Sequence, residues 1–283
     1  MYDVVIIGVG PAGISAAIYL KRAKKNVLII SKKESALKKA EKIENYYGIE
    51  SISGKDLFDI GIKQAENLQI PIEDDEVTNI SYDSNFVVTT VNRKYEAKFV
   101  ILATGTNRMV PQIKGIKEFE GKGVSYCAIC DAFFYRNKEV VVIGNGNYAI
   151  HEAQQLKPIV KSVTILTDGK KMVENRDASD FEVDETPIRE FRGGNVIEEV
   201  EFDDNSAKKV DGVFIAIGTA SSADLAKKIG AIVKNNNIVV NENMETNVKG
   251  LYACGDCTGG LLQVNKAVYE GAKAAMSIIS NRF

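Results

Sequence analysis

Two four-residue apolar blocks, Val4-Val5-Ile6-Ile7 and Val27-Leu28-Ile29-Ile30, frame the first thirty residues. Continuous apolar runs dominated by β-branched residues predict parallel strands covered on both faces, whereas a half-exposed strand would alternate. Between them Gly8-Val9-Gly10-Pro11-Ala12-Gly13 leads into Ile14-Ser15-Ala16-Ala17-Ile18-Tyr19-Leu20, which reads as a helix. Strand, glycine turn, helix and strand make the βαβ unit that binds dinucleotides: the glycines allow a tight turn and close backbone approach, and the helix N-terminus supports a pyrophosphate. The loop alone also fits an ordinary strand-turn-helix without a ligand. Farther on, Glu76–Ser81, Phe86–Val91 and Tyr95–Phe99 are short strand candidates around the turn Asp83-Ser84-Asn85, an antiparallel meander. Gly250-Leu251-Tyr252-Ala253-Cys254-Gly255-Asp256 reads as strand then turn, and Asn265 to Ile279 as an Ala-rich helix.

The pattern recurs. Tyr2 to Ala17 reappears as Lys138 to Ala153, with Val140–Ile143 leading into Gly144-Asn145-Gly146-Asn147-Tyr148-Ala149, an offset of 136. Val100-Ile101-Leu102-Ala103-Thr104-Gly105-Thr106 is echoed by Val213-Phe214-Ile215-Ala216-Ile217-Gly218-Thr219 at an offset of 113, so the second copy is 23 residues shorter. The expected fold is α/β with two dinucleotide-binding, Rossmann-like domains: 1-112 plus 243-283, and an inserted, abbreviated domain over 113-242.

Composition narrows the chemistry. A chain of 283 residues, 45% hydrophobic and 26% charged, is long enough for two cores and excludes a disordered or fibrous protein. The formal net charge of -2 advertises neither nucleic acid nor an anionic membrane as partner. Val4 to Leu20 carries no charge, but Gly8, Gly10, Pro11 and Gly13 would break a spanning helix, so neither a membrane segment nor a signal peptide is expected. The four cysteines form two Cys-x-x-Cys pairs, Cys127/Cys130 and Cys254/Cys257. That usage points to redox or metal chemistry in a reducing, cytoplasmic compartment. A single histidine, His151, removes any mechanism that needs two. Closely spaced cysteines make disulfide exchange intramolecular, and Asp131 beside Cys130 adds a proton carrier. An inert buried pair, or half of a four-cysteine zinc site, are the other readings of Cys127 and Cys130.

Over nearly its whole length the chain resembles the low-molecular-weight thioredoxin reductases. The matches follow in that family's order: Gly8-Val9-Gly10-Pro11-Ala12-Gly13, Glu44-Asn45-Tyr46-Tyr47-Gly48, Ala103-Thr104-Gly105, Cys127-Ala128-Ile129-Cys130-Asp131, Gly144-Asn145-Gly146, and Gly255-Asp256 with Gln263 downstream. The resemblance implies FAD in the first domain, with Gly8, Gly10, Pro11, Ala12 and Gly13 on its pyrophosphate and Thr104 and Gly105 in the second turn of the site. It places Asn45 and Gln263 near the flavin, and Gly255 and Asp256 at the ribityl chain. It implies that Cys130 faces the flavin and Cys127 attacks the disulfide of thioredoxin, and that the protein is a homodimer. Cys254 and Cys257 then bracket a loop already given to FAD, so no metal is expected and small residues packed beside the cofactor are favoured over a second redox pair.

The chain departs from the family at the electron donor. A His-Arg-Arg-type motif that grips the 2′-phosphate of NADPH is replaced by Thr167-Asp168-Gly169, and Asp168 would repel that phosphate. Asp168 lies 24 residues after Gly144, near where an acid holds ribose hydroxyls, or it is a plain turn aspartate. Tyr148 is a candidate obstruction at the second loop, unless its ring turns outward, and His151 reads as a helix-surface residue. Lys21, Arg22, Lys24, Lys25, Lys32, Lys33, Lys38, Lys39 and Lys42 give residues 21–42 nine basic against two acidic side chains, a field suited to an acidic protein or merely a solvated face. Together these features resemble the flavin-dependent ferredoxin:thioredoxin reductases. The expected activity is reduction of thioredoxin through FAD with ferredoxin as donor; an NADH- or NADPH-dependent reductase and a redox-sensing flavoprotein without turnover are the alternatives.

Overall fold

The computed structural model describes residues 1–32, 35–105 and 111–280, with the side chain of Ile129 also left aside; Lys33 and Thr106 thus lie outside the described residues. Two units result: Met1–Asn107 with Ser221–Phe283, and Arg108–Ala220. Among the described residues no helix is long and apolar enough to cross a membrane.

In the first unit, β1 (Tyr2–Ile7) pairs in parallel with β2 (Val27–Ser31) across α1 (Pro11–Arg22). Pro11 at the first helical turn and Lys21 and Arg22 in the last suit the helix geometry and dipole. Ser53 caps α2 (Gly54–Asn67), its hydroxyl accepting the Asp56 N–H at 3.0 Å, and α2 leads to β3 (Ile72–Asp74). The meander follows as β4 (Val77–Asp83), β5 (Asn85–Thr90) and β6 (Lys94–Leu102). It is continuous with the parallel sheet: Lys94–Ala97 pairs antiparallel with β5, and Phe99–Leu102 of the same strand pairs in parallel with β1. The sheet order is β3-β2-β1-β6-β5-β4, and the strand Leu251–Ala253 lies on β6. Its core includes Val4, Ile6, Ala16, Ala17 and Leu20 with Ala274, Ala275 and Ile278 of the helix Val264–Ser280.

The return to this unit falls at Ser221 rather than at 243. Ser221 and Asp224 form a capping box that starts a helix over Ser222–Lys228, and Lys228 Nζ donates to Thr78 O of β4 at 3.0 Å.

The second unit repeats the βαβ: β7 (Val124–Ser125), a helical turn α3 (Ala128–Asp131), β8 (Glu139–Ile143), α4 (Asn147–Leu156), β9 (Ser162–Leu166) and β10 (Glu182–Asp184). A three-stranded antiparallel sheet, β11 (Ile188–Gly193), β12 (Ile197–Phe202) and β13 (Ala207–Lys209), precedes β14 (Gly212–Ile215). The parallel sheet runs β10-β9-β8-β14-β7. The abbreviation has one location: 40 residues, including α2, separate β2 from β3, but only 15 separate β9 from β10.

Candidate functional site

The internal repeat is geometrically real. Gly8 has φ +111° and Gly144 φ +155°, and a Cβ would lie 2.3 Å from Ala103 O at the first and 2.2 Å from Ala216 O at the second. Each glycine lets the turn press against the equivalent strand end, which no side chain would permit.

In the first unit, the loop is tight below and open above. A Cβ on Gly13 would fall 2.0 Å from Gly8 O, whereas one on Gly10 would meet nothing nearer than Ser35 Oγ at 3.8 Å. No side chain caps α1, so its first-turn amides, those of Ala12 and Gly13 among them, lack intrahelical partners, and Pro11 has no N–H to satisfy. Such a cradle fits a pyrophosphate. Asn45 Nδ2 donates to Gln263 Oε1 at 2.9 Å, and Asn265 Nδ2 to Asn45 O at 3.2 Å, so two residues 218 apart in sequence meet. Gly105, at φ +76°, has nothing within 4 Å of its Cβ position. Thr104 is partly occupied elsewhere: its Oγ1 lies 2.7 Å from Ser222 Oγ and accepts the Ser222 N–H at 2.9 Å.

Asp256 is half-buried, and burial raises its carboxyl pKa while Lys266 opposes the rise. The loop beneath it is tied by residues that sequence reasoning missed. Glu270 Oε2 accepts the Gly255 N–H at 2.8 Å and Lys266 Nζ at 3.0 Å, and Lys266 also donates to Gly255 O at 2.9 Å. Their i,i+4 spacing on an Ala-rich helix was the available signal. Cys254 and Cys257 are free and buried; burial pushes Cys254 well up and Cys257 up to about 12. Neither is a thiolate at neutral pH, so this pair lacks the attacking species of disulfide exchange. Among the described residues no three or more His, Cys, Asp or Glu side chains are grouped as metal ligands.

In the second unit Cys127 and Cys130 form a disulfide, with Cα atoms 5.3 Å apart. Cys127 is buried and Cys130 exposed. Cys127 stands at the N-cap of α3, where its Sγ accepts the Cys130 N–H at 3.3 Å. Asp131 acts through Ser125: Ser125 Oγ donates to Asp131 Oδ2 at 2.6 Å and accepts the Cys127 N–H at 3.1 Å. A further carboxylate was not foreseen. Glu152, on α4 and 1% exposed, accepts the Ala128 N–H at 2.9 Å; it follows His151, which is half-buried rather than a surface residue.

The second glycine loop is engaged by its own chain. Asn145 Nδ2 donates to Lys171 O at 3.1 Å, Val173 N–H to Asn145 O at 3.0 Å, and Asn175 Nδ2 to Asn147 Oδ1 at 2.7 Å. Tyr148 does not turn outward; it is 2% exposed. Asp168 is a turn residue with φ +54°, its Oδ1 accepting the Ile188 N–H at 2.8 Å.

The basic segment is not one patch. Lys21, Arg22, Lys24 and Lys25 precede β2, while Lys32, Lys38, Lys39 and Lys42 follow it, and five strand residues span about 16 Å. Only the second group shares the strand end that carries the first glycine loop. Within it, Lys42 pairs with Glu44 at 2.7 Å and Lys38 Nζ lies 4.2 Å from the Phe58 ring centroid.

Two Rossmann-like units, one holding a redox disulfide, define a two-domain flavoprotein disulfide oxidoreductase. The chain belongs to the pyridine nucleotide-disulphide oxidoreductase family, whose model matches residues 2–271 and whose thioredoxin reductases are FAD-binding flavoproteins. Its near full-length relatives include thioredoxin reductases: that of Aquifex aeolicus is 34% identical over 98% of this chain and 92% of the relative. The atypical thioredoxin reductase TRi from Desulfovibrio vulgaris Hildenborough superposes with a TM-score of 0.93 at 37% identity, covering 100% of both chains. A ferredoxin-flavin thioredoxin reductase from Clostridium acetobutylicum gives a TM-score of 0.73 at 35% identity, covering 98% of this chain and 96% of that one.

Proposed function

We propose that this protein is an FAD-dependent reductase of the thioredoxin disulfide with ferredoxin as its electron donor. The observation that carries the disulfide chemistry is the Cys127–Cys130 bond backed by Ser125 and Asp131. Gly8, Gly10, Pro11, Ala12 and Gly13 would hold the FAD pyrophosphate, with Thr104 and Gly105 beside them, Asn45 and Gln263 near the flavin, and Gly255 and Asp256 at the ribityl chain. When bound, FAD accepts electrons singly and releases them in pairs, the conversion that a one-electron iron–sulfur donor and a two-electron disulfide require.

Two electrons and two protons open the Cys127–Cys130 bond to a dithiol. Asp131, through Ser125, stands where a proton can be held near Cys127, and the Cys130 amide stabilises negative charge on Cys127 Sγ. Once uncovered, the Cys127 thiolate attacks the disulfide of thioredoxin and forms a mixed disulfide. Cys130 then attacks Cys127 Sγ, releasing dithiol thioredoxin and restoring the internal bond.

The donor reading is supported by what the second unit withholds. No paired guanidinium groups follow β9, and Asp168 sits in a turn where its Oδ1 already accepts the Ile188 amide. Exposed Lys32, Lys38 and Lys39 at the glycine-loop end of β2 suit an acidic partner. Replacing either Cys127 or Cys130 by Ser tests the disulfide route. Thioredoxin reduction should vanish while ferredoxin still reduces the flavin; retained thioredoxin turnover in either variant would overturn it.

A further inference from the structure

The first glycine loop is an internal reference for the second. Where the first carries Val9, Pro11 and Ala12, the second carries Asn145, Asn147 and Tyr148. The two asparagines hold one segment. Lys171 O accepts from Asn145 Nδ2 at 3.1 Å, Val173 N–H donates to Asn145 O at 3.0 Å, and Asn175 Nδ2 donates to Asn147 Oδ1 at 2.7 Å. That segment is pinned at both ends. On one side Glu185 Oε1 accepts the Met172 N–H at 3.2 Å; on the other, Gln154 Nε2 of α4 donates to Asp177 Oδ2 at 3.0 Å, and Lys157 Nζ lies 3.4 Å from Asp180 Oδ2. A pyrophosphate needs the loop amides and a clear approach to the helix N-terminus. At their middle glycines the two loops are alike, Gly10 meeting Ser35 Oγ at 3.8 Å and Gly146 meeting Gly218 O at 3.5 Å from the Cβ position; the difference is the segment tied to Asn145 and Asn147.

We propose that Lys171–Asn175 is a built-in strap lying where a dinucleotide pyrophosphate would bind the second cradle, with Asn145 and Asn147 as the residues that determine this specificity. The strap deepens the donor reading, on which it rests only for its biological purpose. It accounts for a refusal that loss of the guanidinium grip does not: missing arginines weaken NADPH alone, whereas a strapped cradle refuses NADH, NADPH and any ADP-containing dinucleotide alike.

The test uses FAD-loaded protein and ADP-ribose, which carries the adenosine and pyrophosphate without nicotinamide or 2′-phosphate. Calorimetric titration of the parent protein should give no saturable binding at millimolar ADP-ribose; sub-millimolar binding would overturn the proposal whatever the variants do. An Asn145→Ala/Asn175→Ala double variant should exchange its Val173 amide hydrogen faster and bind ADP-ribose saturably, with a Kd at least about tenfold below the parent's millimolar limit, the scale of lost strap hydrogen bonds. Unchanged Val173 exchange, or faster exchange without any gain in binding, would equally refute the strap. Reduction of the parent's flavin by ferredoxin is measured separately. Its failure alongside refused ADP-ribose removes the donor reading and leaves the strap standing.

Discussion

Gly271 lies within the helix Val264–Ser280, packed on the first turn of α1. A Cβ at this position would lie 2.1 Å from Ala12 O and 2.9 Å from Ala12 C. Both are backbone atoms and cannot swing aside. Carbon–oxygen contacts settle near about 3.3 Å, so Gly271→Ala forces the helices apart by about 1 Å. Overpacking of this kind costs about 1–3 kcal/mol, and the better helix propensity of Ala returns roughly 1 kcal/mol. The net loss, centred on about 1 kcal/mol, corresponds to a fall in Tm of about 2–4 °C for a unit of this size. Because the atom pushed is Ala12 O, in the first turn of α1, FAD affinity should weaken by about tenfold. Differential scanning fluorimetry of the apoprotein and a flavin-fluorescence titration read the two effects. A Tm equal to or above the parent's, with FAD affinity unchanged, would refute the close helix contact as the device that sets the loop.

The raised thiols of Cys254 and Cys257 give a pH prediction. Reduced protein treated with iodoacetamide at pH 8 should be labelled at Cys130 and spared at Cys254 and Cys257, as peptide mass spectrometry would read; ready labelling of the latter pair would contradict their burial. The sign for stability follows from the same shift. The contribution is full below the unfolded thiol pKa of about 8.5 and is lost as pH rises toward the folded value, so chemical denaturation should show stability declining above pH 9; a rise there would be contrary. Charge reversal at Lys32, Lys38 and Lys39 should slow ferredoxin-driven turnover and reduce its salt dependence, leaving FAD binding intact; unaltered kinetics would remove these lysines from docking.

The two βαβ copies were legible because parallel strands buried on both faces leave unmistakable apolar blocks, and because both turns need glycine at the same strand end. The pairing of Asn45 with Gln263 was legible only through family resemblance, since their meeting depends on a chain that leaves the first unit and returns. The return at Ser221 is faint in the sequence: Ser221-Ser222-Ala223-Asp224 carries a capping signal, but the apolar strand at Leu251–Ala253 is the louder one. The strand candidate Tyr95–Phe99 continues to Leu102 in a single strand that changes partners along its length, which no local pattern marks. The basic run is one block only in sequence, because β2 carries its two halves to opposite ends. Glu152 leaves no periodic trace because it is a buried carboxylate on a backbone amide, and the i,i+4 spacing of Lys266 and Glu270 is shared by any solvated helix pair. The binding of Asn145 and Asn147 to Lys171–Asn175 was invisible for the same reason: it is a matter of which loop amides and carbonyls meet.

The most direct measurement is anaerobic reduction of the FAD-loaded protein, followed by flavin absorbance, with NADPH, NADH and a reduced low-potential ferredoxin supplied in turn and thioredoxin added afterwards. Ferredoxin should bleach the flavin rapidly and deliver dithiol thioredoxin, while neither nucleotide does so at millimolar concentration. Rapid bleaching by NADH or NADPH, with ferredoxin inert, would contradict the account.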